Sequence, residues 1–236
     1  MTDGRGPESD PAGSAGDRTS PPAVRLADFD VLVERARSLG RLGRRAVLGI
    51  AGPPGAGKST LAARVVGALG DTCVLVPMDG FHLAQDELVR LGRAARKGAP
   101  DTFDVAGYLA LLVRMTTPGD DIVYAPEFRR ELDEPIAGAI AVAPAHSIVV
   151  TEGNYLLDDG EGWRELRALL DDVWYVALGE HERRRRLVAR HESFGASPER
   201  ARSHALGSDE RNAERVRARR FSADLIVDCD GEQDDE

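Results

Sequence analysis

Ala46-Val47-Leu48-Gly49-Ile50-Ala51 runs straight into Gly52-Pro53-Pro54-Gly55-Ala56-Gly57-Lys58-Ser59-Thr60, and the reading of the chain turns on that junction. The first stretch is apolar throughout and predicts a buried strand; Ser59 to Leu69 predicts a helix. Between them, residues 52–59 match G-x-x-x-x-G-K-[ST] in full and in the strand–turn–helix context that the motif requires. Glycines let successive N–H groups turn inward around an anion without Cβ clashes. The helix start adds its positive dipole end. Such a cradle takes a nucleotide's phosphates, with Lys58 reaching the β- and γ-groups and the Ser59 hydroxyl directed at Mg²⁺.

Outward from the junction, strand and helix signals alternate. Cys73–Met78, Ser147–Thr151, Val173–Leu178 and Leu225–Val227 read as strands; Leu26–Leu39, Val105–Met115, Glu180–His191 and part of Pro198–Arg220 read as helices. Residues 80–103 have no strong period, which predicts a surface segment or short helices over the site. Alternation of this kind predicts an α/β fold: a doubly wound, mainly parallel five-stranded sheet with helices on both faces. It is the P-loop NTPase class, here with a helical lid over about 180–215. The expected domain is 23–228, with a disordered Gly/Pro/Ser-rich tail at 1–22 and an acidic tail at 229–236.

A net charge of −9 argues against a nucleic-acid binder, which needs surplus Lys and Arg to neutralise phosphates. No apolar run approaches the ~20 residues of a membrane span and the N-terminus has no signal-peptide core, so the expected location is the cytoplasm. The two cysteines, Cys73 and Cys229, sit in apolar runs and read as buried thiols; no Cys/His spacing resembles a zinc site. The chain has only two lysines, so one at Lys58 is informative.

Two further strand ends carry acids. In Pro77-Met78-Asp79-Gly80-Phe81-His82, Asp79 is placed to take the proton from a substrate hydroxyl attacking a γ-phosphoryl group; the competing reading is an Asp-Gly turn. His82 is a candidate substrate contact or a turn ligand. In Val149-Val150-Thr151-Glu152-Gly153-Asn154, Glu152 is a candidate for the Mg²⁺ shell or a substrate hydroxyl, against a plain capping acid. On the basic helix, Arg183, Arg186 and Arg190 share one face, suited to neutralising a transferring phosphoryl group; a solvated face is the bland alternative, preferred for Arg184 and Arg185. Neither a guanine-reading N/T-K-x-D nor an LSGGQ-like segment occurs, which leaves small-molecule kinases.

GPPGAGKST, VPMDGFH, RKGAPDTFD, APEFRR with DEPIAGAI, VVTEGNYLL, VWYV with RRLVARH, and SDERNAERV occur in that order. Together they resemble the phosphoribulokinase, uridine kinase and pantothenate kinase superfamily over about residues 45–228, nearest to the branch labelled fructose-transport-system or uridine kinases. The resemblance implies ATP and Mg²⁺ at Lys58 and Ser59, Asp79 as catalytic base, and a small hydroxyl-bearing acceptor, with a nucleoside slightly ahead of a sugar, pantothenate-like or glycerate-like compound. It implies acceptor contacts from Arg96, Lys97, Tyr124, Phe128 and Arg130, with Asn154 beside Glu152, and lid contacts from Arg186 and Arg190. Arg129 departs from the pattern, standing where an acidic residue is expected. An ATP-dependent regulator without acceptor chemistry is the alternative class, and a homodimer stays open.

Overall fold

The computed structural model describes residues 20–119 and 121–230. Among the described residues the strands are β1 (Ala23–Arg25), β2 (Ala46–Ala51), β3 (Cys73–Leu75), β4 (Val123–Arg129), β5 (Glu134–Val142), β6 (Ile148–Gly153), β7 (Asp172–Ala177) and β8 (Leu225–Asp228). The α-helices among them are α1 (Phe29–Leu39), α2 (Lys58–Leu69), α3 (Gln85–Arg90), α4 (Val105–Thr116), α5 (Glu180–Ser193), α6 (Pro198–Leu206) and α7 (Ser208–Arg217).

The main sheet has the order β1-β8-β7-β2-β6-β3, parallel at every pairing. Every residue of β2 and β6 is buried, as expected of parallel strands covered on both faces. Alternation along β2 sends Val47 and Ala51 toward α4, where they join Tyr108, Leu111, Leu112 and Met115. Leu48 and Ile50 face the other way, into a core with Leu32 and Ala36 of α1 and Leu61, Ala62 and Val65 of α2. Cys73 and Cys229 are free and buried; burial pushes the Cys73 thiol up to about 12.

The sheet has six strands rather than the five expected. The extra one, β1, is a three-residue edge strand pairing Ala23 with Ile226, too short to show a period. β3 is shorter than the apolar run that announced it. Val76 still donates to the Val150 carbonyl, but Pro77 has no N–H to continue the ladder, and Met78–Phe81 closes into a 3₁₀ turn. The antiparallel hairpin β4–β5 has no counterpart in the sequence reading; most of β5 is exposed, so it lacks the buried alternation that marks a core strand. The 80–103 stretch forms α3 and two 3₁₀ turns, Ala94–Arg96 and Pro100–Thr102, while the 198–220 region contains two helices, α6 and α7.

The expected tails, 1–22 and 229–236, fall mostly outside the described residues. Where described, the Pro22 carbonyl accepts from the Ile226 N–H, and Asp230 accepts from the Gly179 N–H. Among the described residues no helix is long and apolar enough to cross a membrane.

Thr151 in β6 links the two halves of the floor. Its Oγ1 donates to the Val76 carbonyl at 2.7 Å and lies 2.5 Å from the fully buried Tyr108 hydroxyl. Tyr108→Phe removes that buried bond and is expected to lower unfolding free energy by about 1 kcal/mol in urea titration.

Candidate functional site

The site sits at the carboxyl end of β2, where the chain leaves the sheet between β6 and β7. Ile50 and Ala51 pair with Glu152 and Gly153, so the loop at 52–57 starts level with Glu152 and Asn154. Helix α2 begins at Lys58. The Lys58 ammonium is buried and donates to Asn154 Oδ1 at 2.8 Å and to the Pro53 carbonyl at 3.2 Å. Ser59 Oγ donates to Glu152 Oε1 at 2.9 Å.

Burial pushes the Lys58 pKa down, while the charges of Glu152 and Asp79 oppose it. Burial raises Glu152, and Asp79 raises it further; Lys58 and the Ser59 hydroxyl work the other way. Burial therefore weighs against the charged form of both groups. A hydroxyl beside a carboxylate is a hard-oxygen donor set of the kind that suits Mg²⁺, which needs few direct protein ligands. Among the described residues no group of three or more His, Cys, Asp or Glu is arranged to hold a metal by itself.

Asp79 lies in the 3₁₀ turn after β3 rather than at the strand end. Its carbonyl accepts from the His82 N–H at 3.1 Å and lies 2.9 Å from His82 Nδ1. The following Gly80 is required by close packing: a Cβ there would stand 2.4 Å from the Pro126 carbonyl oxygen of β4. The hairpin therefore lies flush against the Asp79 turn.

Two spaces meet at Asp79. A narrow one is bounded by Pro54, Lys58, Ser59, Glu152 and Asn154. A larger cavity of about 440 Å³ opens beside it, with His82, Lys97, Phe128 and Asn154 in its wall. Asp79, Arg130 and Arg190 line both. The His82 ring packs 4.1 Å from that of Phe103 and 4.8 Å from that of Phe128, and burial lowers its pKa, favouring the neutral imidazole at pH 7. The Lys97 ammonium lies 5.3 Å from the Phe128 ring centre and pairs with Asp133 at 2.8 Å.

A third space, of about 370 Å³, lies against the loop and the start of α2 and is lined by Gly55, Gly57, Lys58, Ser59, Thr60, Arg130, Arg186 and Arg190. Arg186 also pairs with Glu182 at 2.8 Å. Neither Arg130 nor Arg190 has a carboxylate within ion-pair distance among the described residues; Arg130 stacks on Phe194 at 5.5 Å.

Two predicted acceptor residues stand elsewhere. Arg96 is ion-paired with Asp101 and lines a separate cavity with Arg93, Trp163 and Arg215. Tyr124 is exposed on β4, with 56% of its surface accessible. Arg129 turns to its neighbour Glu127 at 2.7 Å and lines none of these three spaces. Sequence reasoning missed the far wall of the larger cavity: His191, His204, Ser208, Asp209 and Asn212, from α5, α6 and α7. Asn212 is tied to the roof through Nδ2, which donates to the Gly98 carbonyl at 3.3 Å, and His191 Nε2 lies 2.8 Å from Asp209. The segment SDERNAERV was a visible signal for this wall, but its helical pattern alone assigned no direction to its polar residues.

No family model matches the chain. A candidate uridine kinase of Schizosaccharomyces pombe is 35% identical over 175 residues, covering 70% of this chain and 74% of that protein. The chain belongs to the P-loop kinases of the phosphoribulokinase, uridine kinase and pantothenate kinase type. An ATP-dependent kinase-like protein of Aspergillus versicolor is 31% identical over 159 residues, 64% of this chain and 92% of its own length. Among solved structures, a candidate fructose transport system kinase from Silicibacter sp. TM1040 superposes with a TM-score of 0.76 at 36% identity, covering 83% of this chain and 97% of that one. Kinases of this type imply use of ATP and usually Mg²⁺, and a small-molecule substrate.

The raised Glu152 pKa has a signed consequence. Between the ordinary glutamate value, about 4.3, and the raised folded value, the folded chain keeps a proton that the unfolded chain has lost. Stability of the ligand-free chain therefore falls as pH rises through that window. Glu152→Gln removes the titration, so the variant's melting temperature should gain on the wild type as pH goes from 4 to 7.5, read by thermal scans without nucleotide.

Proposed function

We propose that this kinase transfers the γ-phosphoryl group of ATP to a hydroxyl of a small metabolite, with a nucleoside as the leading acceptor class. The observation that carries the reading is the shared position of Asp79: the same residue borders the Lys58–Ser59–Glu152 space and the larger cavity beside it. A γ-phosphate in the first space and an acceptor hydroxyl in the second would meet at that carboxylate.

In this reading the loop amides and Lys58 hold the phosphates, while Ser59 and Glu152 would hold Mg²⁺, which would supply charge neutralisation at the phosphate oxygens. Asp79 takes the acceptor's proton as its oxygen attacks, and Arg130, Arg186 and Arg190 balance charge on the transferring group. The bond between the γ-phosphorus and the bridging oxygen breaks, leaving ADP and a phosphomonoester. The aromatic surface of His82, Phe103 and Phe128 supports a planar base, and the ring of polar groups around it supports a hydroxylated acceptor. Sugar, pantothenate-like and glycerate-like compounds are the alternatives that an acceptor panel separates.

Coupled ADP-release assays over nucleosides, sugars and hydroxy acids should show one class raising turnover well above the water background. Asp79→Asn should lower that turnover roughly 100-fold or more while nucleotide affinity changes little. Tight ATP binding with no acceptor-dependent turnover would instead favour a non-catalytic regulator. Full activity in Asp79→Asn would remove the base assignment.

A further inference from the structure

The chemistry above leaves Arg183 without a task, yet it is the most deeply buried charged side chain on α5, with no accessible surface. A guanidinium taken out of water is destabilising unless its donors are met. Here Nη1 donates to the Pro54 carbonyl at 3.1 Å, and Nη2 donates to Glu180 at 2.9 Å and to Glu210 at 2.5 Å. Arg184 and Arg217 converge on the same Glu210 carboxylate, at 3.0 and 3.1 Å. Hydrogen bonds from Arg184, and then from Arg183 and Arg217, hold Glu210 down at about 2 against the effect of burial, so it stays charged throughout the working pH range.

Pro54 belongs to the cradle itself. For successive amides to point inward at phosphate, carbonyls of the same loop must point outward, and a buried outward carbonyl needs a donor. Arg183 is that donor for Pro54. The contact is close on the next residue too: Gly55 has φ +84°, and a Cβ there would stand 2.7 Å from the Arg183 carbonyl. The loop and the first turn of α5 are thus packed backbone to backbone.

We propose that Arg183, gripped by Glu180 and Glu210, is a positioning residue that holds the 52–57 loop in its phosphate-binding shape. The assignment rests on the reading of that loop as a nucleotide site. It also joins the two halves of the reaction. Glu210 lies on α7 between Asp209 and Asn212, which face the acceptor cavity, so one helix braces the donor loop and walls the acceptor space.

The test is calorimetric binding of Mg·ADP and of a non-hydrolysable Mg·ATP analogue to the full chain, with thermal unfolding measured in parallel. Arg183→Lys keeps the charge but loses the fork; its nucleotide affinity should fall about tenfold or more, the usual scale for a residue that orients a binding group. Glu210→Gln should fall several-fold, and the double variant little beyond Arg183→Lys, because the two act through one contact. Arg184→Ala removes a comparable pair to Glu210 without touching the loop, and should bind within about twofold of wild type. If Arg183→Lys and Glu210→Gln bind as tightly as wild type per folded molecule, whatever their melting temperatures, the assignment is overturned. Should Arg183→Lys fail to fold, Glu210→Gln alone decides. Lys58→Ala is run beside them: undiminished binding there would remove the nucleotide-site reading itself, an outcome distinct from failure at Arg183.

Discussion

Ile50 pairs with Glu152 and Ala51 with Gly153, and the active end of the molecule depends on that register. A one-residue slip would turn every β6 side chain to the opposite face. Ser59 would lose Glu152, and Lys58 would lose Asn154. The register is secured from both sides, because β2 is a central strand buried on both faces and also paired with β7. Once it is set, the loop has one place to go, over the strand ends.

The electrostatics follow from that placement. A buried ammonium and a buried carboxylate stand close together, and burial disfavours the charged form of each. Arg130 and Arg190 add positive charge beside Asp79 and Glu152, with no carboxylate in ion-pair distance of either among the described residues. Anionic phosphates and a divalent cation would relieve both excesses together, which fits a site whose stability is completed by its ligands. Arg183 belongs to the opposite category. Its charge is fully compensated, and what it contributes is geometry.

The larger cavity, the acceptor side of the proposed reaction, is built differently. The loop, Lys58, Ser59 and Glu152 come from two neighbouring strands and the helix between sheet and solvent. The larger cavity shares Pro54 and Asn154 with the loop side and draws besides on the Asp79 turn, the 80–103 roof, the β4–β5 hairpin and α5 to α7. Assembly from so many separate segments explains why kinases of one type share a phosphoryl donor more readily than an acceptor.

The amino-acid sequence by itself determined the strand–loop–helix at Ala46–Leu69, the other core strands within a few residues, and the candidacy of Asp79 and Glu152, because each rests on local pattern: apolar runs, glycine spacing, an acid after a strand. β1 escaped because three residues carry no period, and β5 because most of it is exposed and carries no buried alternation. Only tertiary structure decided that Lys97 and Phe128 meet at one wall while Arg96 turns to Asp101 and Tyr124 to solvent. All four sit in or beside irregular or exposed segments, where spacing along the chain says nothing about direction. It also decided the fate of the arginine-rich helix. Helical spacing put Arg183, Arg186 and Arg190 on one face, but the loop packed against the first turn of α5 buries Arg183 under Pro54 and leaves Arg186 and Arg190 beside the cradle. Periodicity reports which residues share a side; which of them is covered depends on what the rest of the fold lays against it.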